Sequence, residues 1–184
     1  VLFPNISAIA LFMSCLNIVA CTAISREGSL FWVSKIIPVP PRDQVLAKLI
    51  HSTVLSLMGV FVIIAIVQFL VGLSALRILA LIILGVLGSF MLNAMSLIID
   101  VLRPKLEWND PQEAIKQNMN ALFSMLLSLI SMALFTGIVV VLILVKAPEW
   151  LTYLILAIAM GLIAIVSLYL LFVLAERQYK RIEL

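Results

Sequence analysis

Long stretches without a charged residue constrain this chain more than any other feature of its sequence. Five segments lack Asp, Glu, Lys and Arg altogether, and each is long enough to cross roughly 30 Å of hydrocarbon as a helix. They cover residues 1–24, 49–72, 78–99, 118–145 and 150–175. With 65% hydrophobic residues, a chain of 184 residues cannot bury its apolar surface in its own core. The sequence therefore predicts a single all-α domain, a polytopic transmembrane bundle with about five spans surrounded by membrane lipid.

Basic residues are concentrated in every second connection between the spans. Ten of the twelve basic residues lie in the first connection, the third connection and the tail. These are Arg26, Lys35, Arg42, Lys48, Arg103, Lys105, Lys116, Arg177, Lys180 and Arg181. By the positive-inside rule, residues 25–48, 100–117 and 176–184 are predicted to face the cytoplasm. The net charge of +3 follows this topology, so no nucleic-acid partner is predicted.

The chain begins without Met, directly in a hydrophobic run. Five spans with a cytoplasmic C-terminus would place the first residue outside, so we interpret the chain as the C-terminal part of a longer protein with at least one earlier span. A cleavable signal peptide is the rival explanation, but residues 1–24 lack a basic start and are not followed by a small-residue cleavage site.

The first connection, residues 25–48, is basic, aromatic and interrupted by prolines. Its apolar and polar residues alternate around Trp32 and Lys35 in a way that fits a short helix lying in the membrane interface. Pro38 would end that helix, Pro41 suits the first turn of the next helix, and Lys48 leads into the second span. We therefore predict a cytoplasmic elbow of interfacial helix, rigid turn and membrane helix. Simple anchoring to the membrane would explain the same pattern.

The second long connection, residues 100–117, contains a helix-start pattern. Asp110 fits the N-cap position, Pro111 the first helical position and Glu113 the third. The sequence thus predicts that the fourth membrane helix begins near Asp110 and runs about three turns before it enters lipid.

Small polar residues recur at helical spacing inside the spans. The three stripes are Ser52, Ser56 and Gly59; Gly85, Ser89, Asn93 and Ser96; and Ser124, Ser128 and Ser131. Such residues let helices approach closely and form hydrogen bonds across an interface, so packing is favoured over a substrate pathway. We expect Asn93 to line a cavity, because a carboxamide deep in lipid needs polar partners.

Chemical motifs are missing from the spans. Their interiors hold no titratable carboxylate or base, no paired aspartates, no Ser/His couple and no ligands at metal-binding spacing. No phosphate-binding G-x-x-x-x-G-K-[ST] loop occurs in the chain. We therefore predict no catalytic residue, no metal site and no cofactor bound by this chain. Energy for any transport would have to come from a cytoplasmic partner.

The first connection resembles a segment of the membrane subunits of ABC-2 type exporters. There, a span is followed by a glutamate, a glycine, a Ser or Thr and a leucine, then by a proline near the end of an interfacial helix and a lysine that opens the next span. This chain has Glu27, Gly28, Ser29 and Leu30, followed by Pro38 and Lys48. The sequence of the 100–117 connection and the arrangement of spans are also similar to this family. The resemblance therefore covers essentially the whole chain.

The resemblance implies a permease of the bacterial cytoplasmic membrane, with its C-terminus inside. It implies a separate ABC ATP-binding subunit that holds ATP and Mg²⁺, and a homodimer or a second permease half. The segment that contacts the ATPase subunit would include Arg26, Glu27, Gly28, Trp32 and Lys35, while Pro38, Pro41 and Lys48 would fix the elbow. The chain itself would not be an enzyme, and the sequence does not specify the transported substrate.

Two features depart from the exporter pattern. Many such permeases have substantial outer structure before the last span, whereas this chain has only residues 146–149 there. They also have a short cytoplasmic link at the place where this chain has the longer connection of residues 100–117. Two alternatives stay open: a secondary carrier whose coupling residues lie in a missing N-terminal part, and an intramembrane enzyme or assembly protein that does not transport.

Overall fold

The computed structural model describes residues 19–110 and 112–181, and within these ranges the chain is helical without a β-strand. Four long helices run through it: α2 (Pro41–Val71), α3 (Ala75–Leu102), α5 (Met119–Leu144) and α6 (Glu149–Arg181). Two short ones, α1 (Phe31–Ile36) and α4 (Glu113–Lys116), lie in the connections. The segments Ala20–Thr22 and Ser25–Leu30 form 3₁₀ turns. The prediction of an all-α bundle is confirmed for these ranges.

The long helices match the last four predicted spans, and all four are apolar and long enough to cross a membrane. Most of the first predicted span, residues 1–24, lies outside the described residues. So do Pro111, within the predicted helix start, and residues 182–184 of the tail.

The start of α2 and the turn after it follow from local chemistry. Pro41 occupies the first turn of α2, where its missing N–H would have no helical partner. Gly72 ends the helix with φ of +67°, a conformation that favours glycine, and its N–H bonds to the Gln68 carbonyl. The Leu73 N–H bonds to the Gln68 side chain at 2.8 Å. These bonds close a tight antiparallel hairpin between α2 and α3.

Helix α3 is the centre of the bundle and contacts α2, α5, α6 and the Ala20–Thr22 turn. At Gly85 the approach of α2 is so close that a Cβ atom would lie 2.5 Å from Val60 Cγ1. Nearer the other end of α3, Ala94, Leu97 and Val101 belong to a buried apolar cluster that also includes residues of α2 and α6. The small residues of α3 thus serve close packing, as their spacing predicts.

The helix of the fourth predicted span, α5, starts later than the sequence predicts. Asp110 does act as a local cap, since its Oδ1 accepts a bond from the Gln112 N–H at 2.8 Å, but the helix that follows, α4, has only four residues. Asn118 then takes an extended conformation and caps α5, accepting from the Asn120 N–H at 2.9 Å. Its own amide donates to the Ala114 carbonyl at 3.1 Å. Asn118, and not Asp110, is therefore the N-cap of α5, the helix of the fourth predicted span.

Candidate functional site

The site lies at one end of the bundle, where the first connection folds against the end of α3 and the start of α5. Asp100, in the last turn of α3, is fully buried there. Its Oδ2 accepts bonds from the backbone N–H groups of Ile24 at 2.6 Å and Ser25 at 3.1 Å. Its Oδ1 accepts from the Ser25 hydroxyl and, at 2.9 Å, from the Asn120 amide. We call these four residues, Ile24, Ser25, Asp100 and Asn120, the Asp100 cluster.

Ser25 connects the Asp100 cluster to the second connection. Its hydroxyl oxygen accepts from the Lys105 N–H at 2.9 Å, and its carbonyl accepts from the Trp108 indole N–H at 2.9 Å. The Asn120 amide also donates to the Arg103 carbonyl at 2.8 Å. Each buried polar atom in this group therefore has a partner, which avoids the free-energy cost of an unsatisfied donor or acceptor. The two long connections form one hydrogen-bonded unit on the end of α3.

Gly28 is buried within this unit, and its place explains the residue type. Its φ of +52° and ψ of −132° are open only to glycine without strain. A Cβ atom at this position would lie 2.5 Å from Cζ2 of Trp108. The indole of the second connection therefore covers the glycine of the first. The requirement for glycine at this position is therefore explained by a contact within the chain itself.

Glu27 and Lys48, two of the positions that carry the family resemblance, form an ion pair. Glu27 Oε1 lies 2.6 Å from Lys48 Nζ, and the two side chains are only 23% and 19% exposed. The Ser34 hydroxyl donates to Glu27 Oε2 at 2.8 Å. Both carboxylate oxygens of Glu27 are therefore engaged within the chain. Glu27 holds the first connection to the start of α2.

The bend between α1 and α2 is closed by a side chain rather than by prolines alone. The Gln44 amide donates to the Ser34 carbonyl at 2.8 Å and to the Val39 carbonyl at 2.9 Å, on either side of Pro38. Phe31 is fully buried and meets the Tyr179 ring of α6 at a centroid distance of 5.1 Å. These contacts fix α1 relative to α2 and α6.

Three of the predicted partner-contact residues are exposed. Trp32 is 50% exposed, and Arg26 and Lys35 are also exposed. Arg26 donates to the carbonyls of Thr22 at 3.2 Å and Val19 at 3.1 Å, while the Lys35 ammonium lies 5.9 Å from the centroid of the Phe31 ring. We call Arg26, Trp32 and Lys35 the exposed triad. The other two predicted residues, Glu27 and Gly28, are engaged inside the chain.

The predicted polar residues of the spans lie between helices. Asn93 is buried and donates to the Ser56 hydroxyl of α2 at 2.9 Å, and Ser96 shares a hydrogen bond with Ser124 of α5 at 2.6 Å. Ser89 and Ser128 are likewise buried. Asn93 thus finds its polar partner on a neighbouring helix, and it is not among the residues that line the surface cavities around Arg103 and around Arg77.

Sequence reasoning missed the centre of the site. Asp100 comes directly after the predicted third span, and the sequence therefore predicts a span without a carboxylate. In the structure α3 continues to Leu102 and carries Asp100 into a buried position. One feature of the sequence does point to a polar contact here: Asn120 is a second polar residue, close to the predicted start of the fourth span, and it bonds to Asp100. Nothing in the sequence pattern pairs Trp108 with Gly28.

A charge exchange between Glu27 and Lys48 should show that their ion pair is structural. Glu27→Lys would place two cations together and lower the free energy of unfolding, and Lys48→Glu would do the same with two anions. The double exchange should recover about 1 kcal/mol relative to the sum of the single changes, since the pair is mostly shielded from water. Thermal unfolding of the four proteins in detergent measures this coupling. Strictly additive effects would show that the pair contributes nothing.

Comparison with protein-family models, with curated proteins and with solved structures finds no match to this chain.

Proposed function

We propose that this chain is the membrane-spanning permease subunit of an ATP-driven exporter of the ABC-2 type, with a separate ATPase subunit docking on the first connection. The residues that carry the resemblance support the proposal, because Glu27 and Lys48 meet in space and Gly28 occupies a position that requires glycine. The exposed triad of Arg26, Trp32 and Lys35 offers two cations and an aromatic ring to such a partner. Aromatic residues and Arg are enriched at protein interfaces.

The Asp100 cluster is the observation that carries the proposal. A docked subunit can drive a membrane helix only if the docking segment is rigidly joined to that helix. Here the backbone of Ile24 and Ser25 is bonded directly to the side chain of Asp100 in α3, and Asn120 of α5 shares the same carboxylate. Displacement of the first connection would therefore move α3 and α5 together.

The proposed arrangement in the membrane has five spans, including residues 1–24, with the two long connections and the C-terminal tail in the cytoplasm of a bacterium. Helix α1 would lie in the interface as the first arm of the elbow. Exposed apolar residues at both ends of α1 support this placement, since Leu30, just before the helix, is 64% exposed and Ile36, its last residue, is 67% exposed. Pro38 and Pro41 would form the turn. A second copy or a second permease half would complete the transporter.

One observation favours a second candidate function. The burial of Asp100 within a membrane-length helix is typical of carriers that couple transport to protons or ions. Such a carrier would need its carboxylate to change partners during transport. Both oxygens of Asp100 are engaged by donors from two separate segments of the chain, residues 24–25 and Asn120, an arrangement that suits a fixed structural link. We therefore retain the exporter as the proposed function.

Reversal of the exposed charges tests the proposal. Arg26→Glu and Lys35→Glu alter side chains that are exposed, so membrane abundance and unfolding should change little. Recovery of an ATPase subunit with the tagged full-length protein should fall about tenfold in the double variant, because reversed charges slow association and place like charges against each other. Lys146→Glu, an exposed cation in the connection between α5 and α6, is the matched control and should recover the ATPase normally. Undiminished recovery with the double variant would count against docking on the first connection.

A further inference from the structure

An apolar groove opens on the side of the bundle between α5 and α6, where these two helices diverge over α3. It encloses about 600 Å³, within the range of roughly 300–1,000 Å³ seen for small-molecule sites. Its walls are apolar side chains of all three helices, among them Met95 of α3, Leu126 and Ile130 of α5, and Leu170 of α6. The exceptions in the lining are Ser167 and Arg103. The groove thus suits a hydrocarbon chain with one charged end.

The depth of the groove matches one leaflet of a membrane. Along α3 the lining runs from Met95 to Arg103, which is about 12 Å at 1.5 Å per residue. Half of a hydrocarbon core of about 30 Å is about 15 Å. Arg103 is the first exposed charge after the apolar lining residues of α3, so we place it at the level of the headgroups. A lipid acyl chain lying in the groove would therefore bring its headgroup to Arg103.

The charge at this end of the groove favours an anionic headgroup. Arg103 is exposed, and no carboxylate of residues 19–110 or 112–181 pairs with it. The bond from the Asn120 amide to the Arg103 carbonyl places the first turn of α5 beside the C-terminal end of α3, so the opposite ends of two helix dipoles meet there. The positive charge at this end of the groove therefore comes from Arg103. A guanidinium can hold two phosphate oxygens at once.

From this groove we infer a binding site for one anionic phospholipid of the leaflet at the Asp100 end of the bundle. Its acyl chain lies between α5 and α6, and its phosphate contacts Arg103. The inference rests on the membrane placement of the helices and not on the exporter function. Bound lipid would cover the apolar walls of the groove and join α5 to α6, which make few direct contacts with each other.

Lipid titration monitored by native mass spectrometry tests the site. The full chain, purified in mild detergent, is titrated with dioleoylphosphatidylglycerol and with dioleoylphosphatidylcholine, which share the same acyl chains. We expect about tenfold tighter binding of the first lipid. Arg103→Gln should remove this preference, Arg103→Lys should keep most of it, and Arg42→Gln, which changes an exposed cation outside the groove, should leave it unchanged.

A second pair of variants tests the position of the acyl chain. Leu126→Trp fills the groove from an exposed position of α5 and should weaken binding of both lipids about tenfold, whereas its exposed neighbour Met125→Trp, outside the groove, should not. Excess glycerol phosphate should fail to displace the lipid. Equal binding of the two lipids, full displacement by glycerol phosphate, or unchanged binding by Arg103→Gln or Leu126→Trp would overturn the inference. The last result would mean that another chain segment or a second copy fills the groove.

Discussion

Replacement of Asp100 by Ala should release the first connection from the bundle and destabilise the protein, at a cost of about 1–3 kcal/mol for each buried donor left without an acceptor. The change takes the acceptor from two backbone N–H groups, a hydroxyl and an amide, all in a region without access to water. Buried donors left without an acceptor are costly because they lose their hydration without compensation.

Hydrogen exchange at the amides of Ile24 and Ser25 measures this effect where it arises, and thermal unfolding in detergent measures its total. Both amides should exchange much faster in Asp100→Ala, and Asp100→Asn, which retains one oxygen acceptor, should lie between Ala and the natural residue. Asp43→Ala is the matched control, since Asp43 is half-exposed and pairs only with its neighbour Arg42. Unchanged protection of Ile24 and Ser25 in Asp100→Ala would show that the first connection is held by other contacts.

A methyl group at Gly28 should be nearly as damaging. Gly28→Ala would introduce backbone strain of roughly 1–3 kcal/mol because of the positive φ. Contact of the new Cβ with the Trp108 ring would add about 1–3 kcal/mol of overpacking, since it would lie 2.5 Å from Cζ2. Thermal unfolding should therefore show a large loss of stability from a single methyl group.

The two causes can be separated with a second substitution. In a Trp108→Ala background the steric part should vanish and the backbone part should remain, so Gly28→Ala should cost less there than in the natural chain. Gly59→Ala is the control, because a Cβ at Gly59 would meet nothing within 4 Å. It should change stability by no more than about 1 kcal/mol. Equal effects of the substitutions at Gly28 and Gly59 would refute the role assigned to the Trp108 contact.

The long helices could be predicted from the sequence, because a membrane-spanning helix depends on the composition of about 20 consecutive residues. Long charge-free stretches mark the apolar parts of α2, α3, α5 and α6, since a helix satisfies its backbone groups within its own segment in lipid. Small-residue spacing likewise predicts helix contacts such as the one between Asn93 and Ser56. The helix-start pattern at Asp110 was locally correct, yet it stabilises only one turn because Asn118 is extended.

The site depends on contacts between residues far apart in the chain, and those lay beyond the sequence pattern. Glu27 and Lys48 were both singled out, but nothing in their spacing pairs them. Asp100 was assigned to a connection because charge normally marks the end of a span. Its burial follows from donors 20 to 76 residues away, which no local periodicity can reveal.

Photo-crosslinking from the exposed triad tests the exporter proposal most directly. A photoreactive phenylalanine derivative replaces Trp32, which is 50% exposed, in the full-length protein within native cells. The same derivative replaces Phe69, which is 90% exposed near the opposite end of α2, as the control. The proposal predicts an adduct between position 32 and a subunit with ATP-binding motifs, and no such adduct from position 69. Absence of any ATP-binding subunit among the position 32 adducts, at normal membrane abundance of the protein, would contradict it.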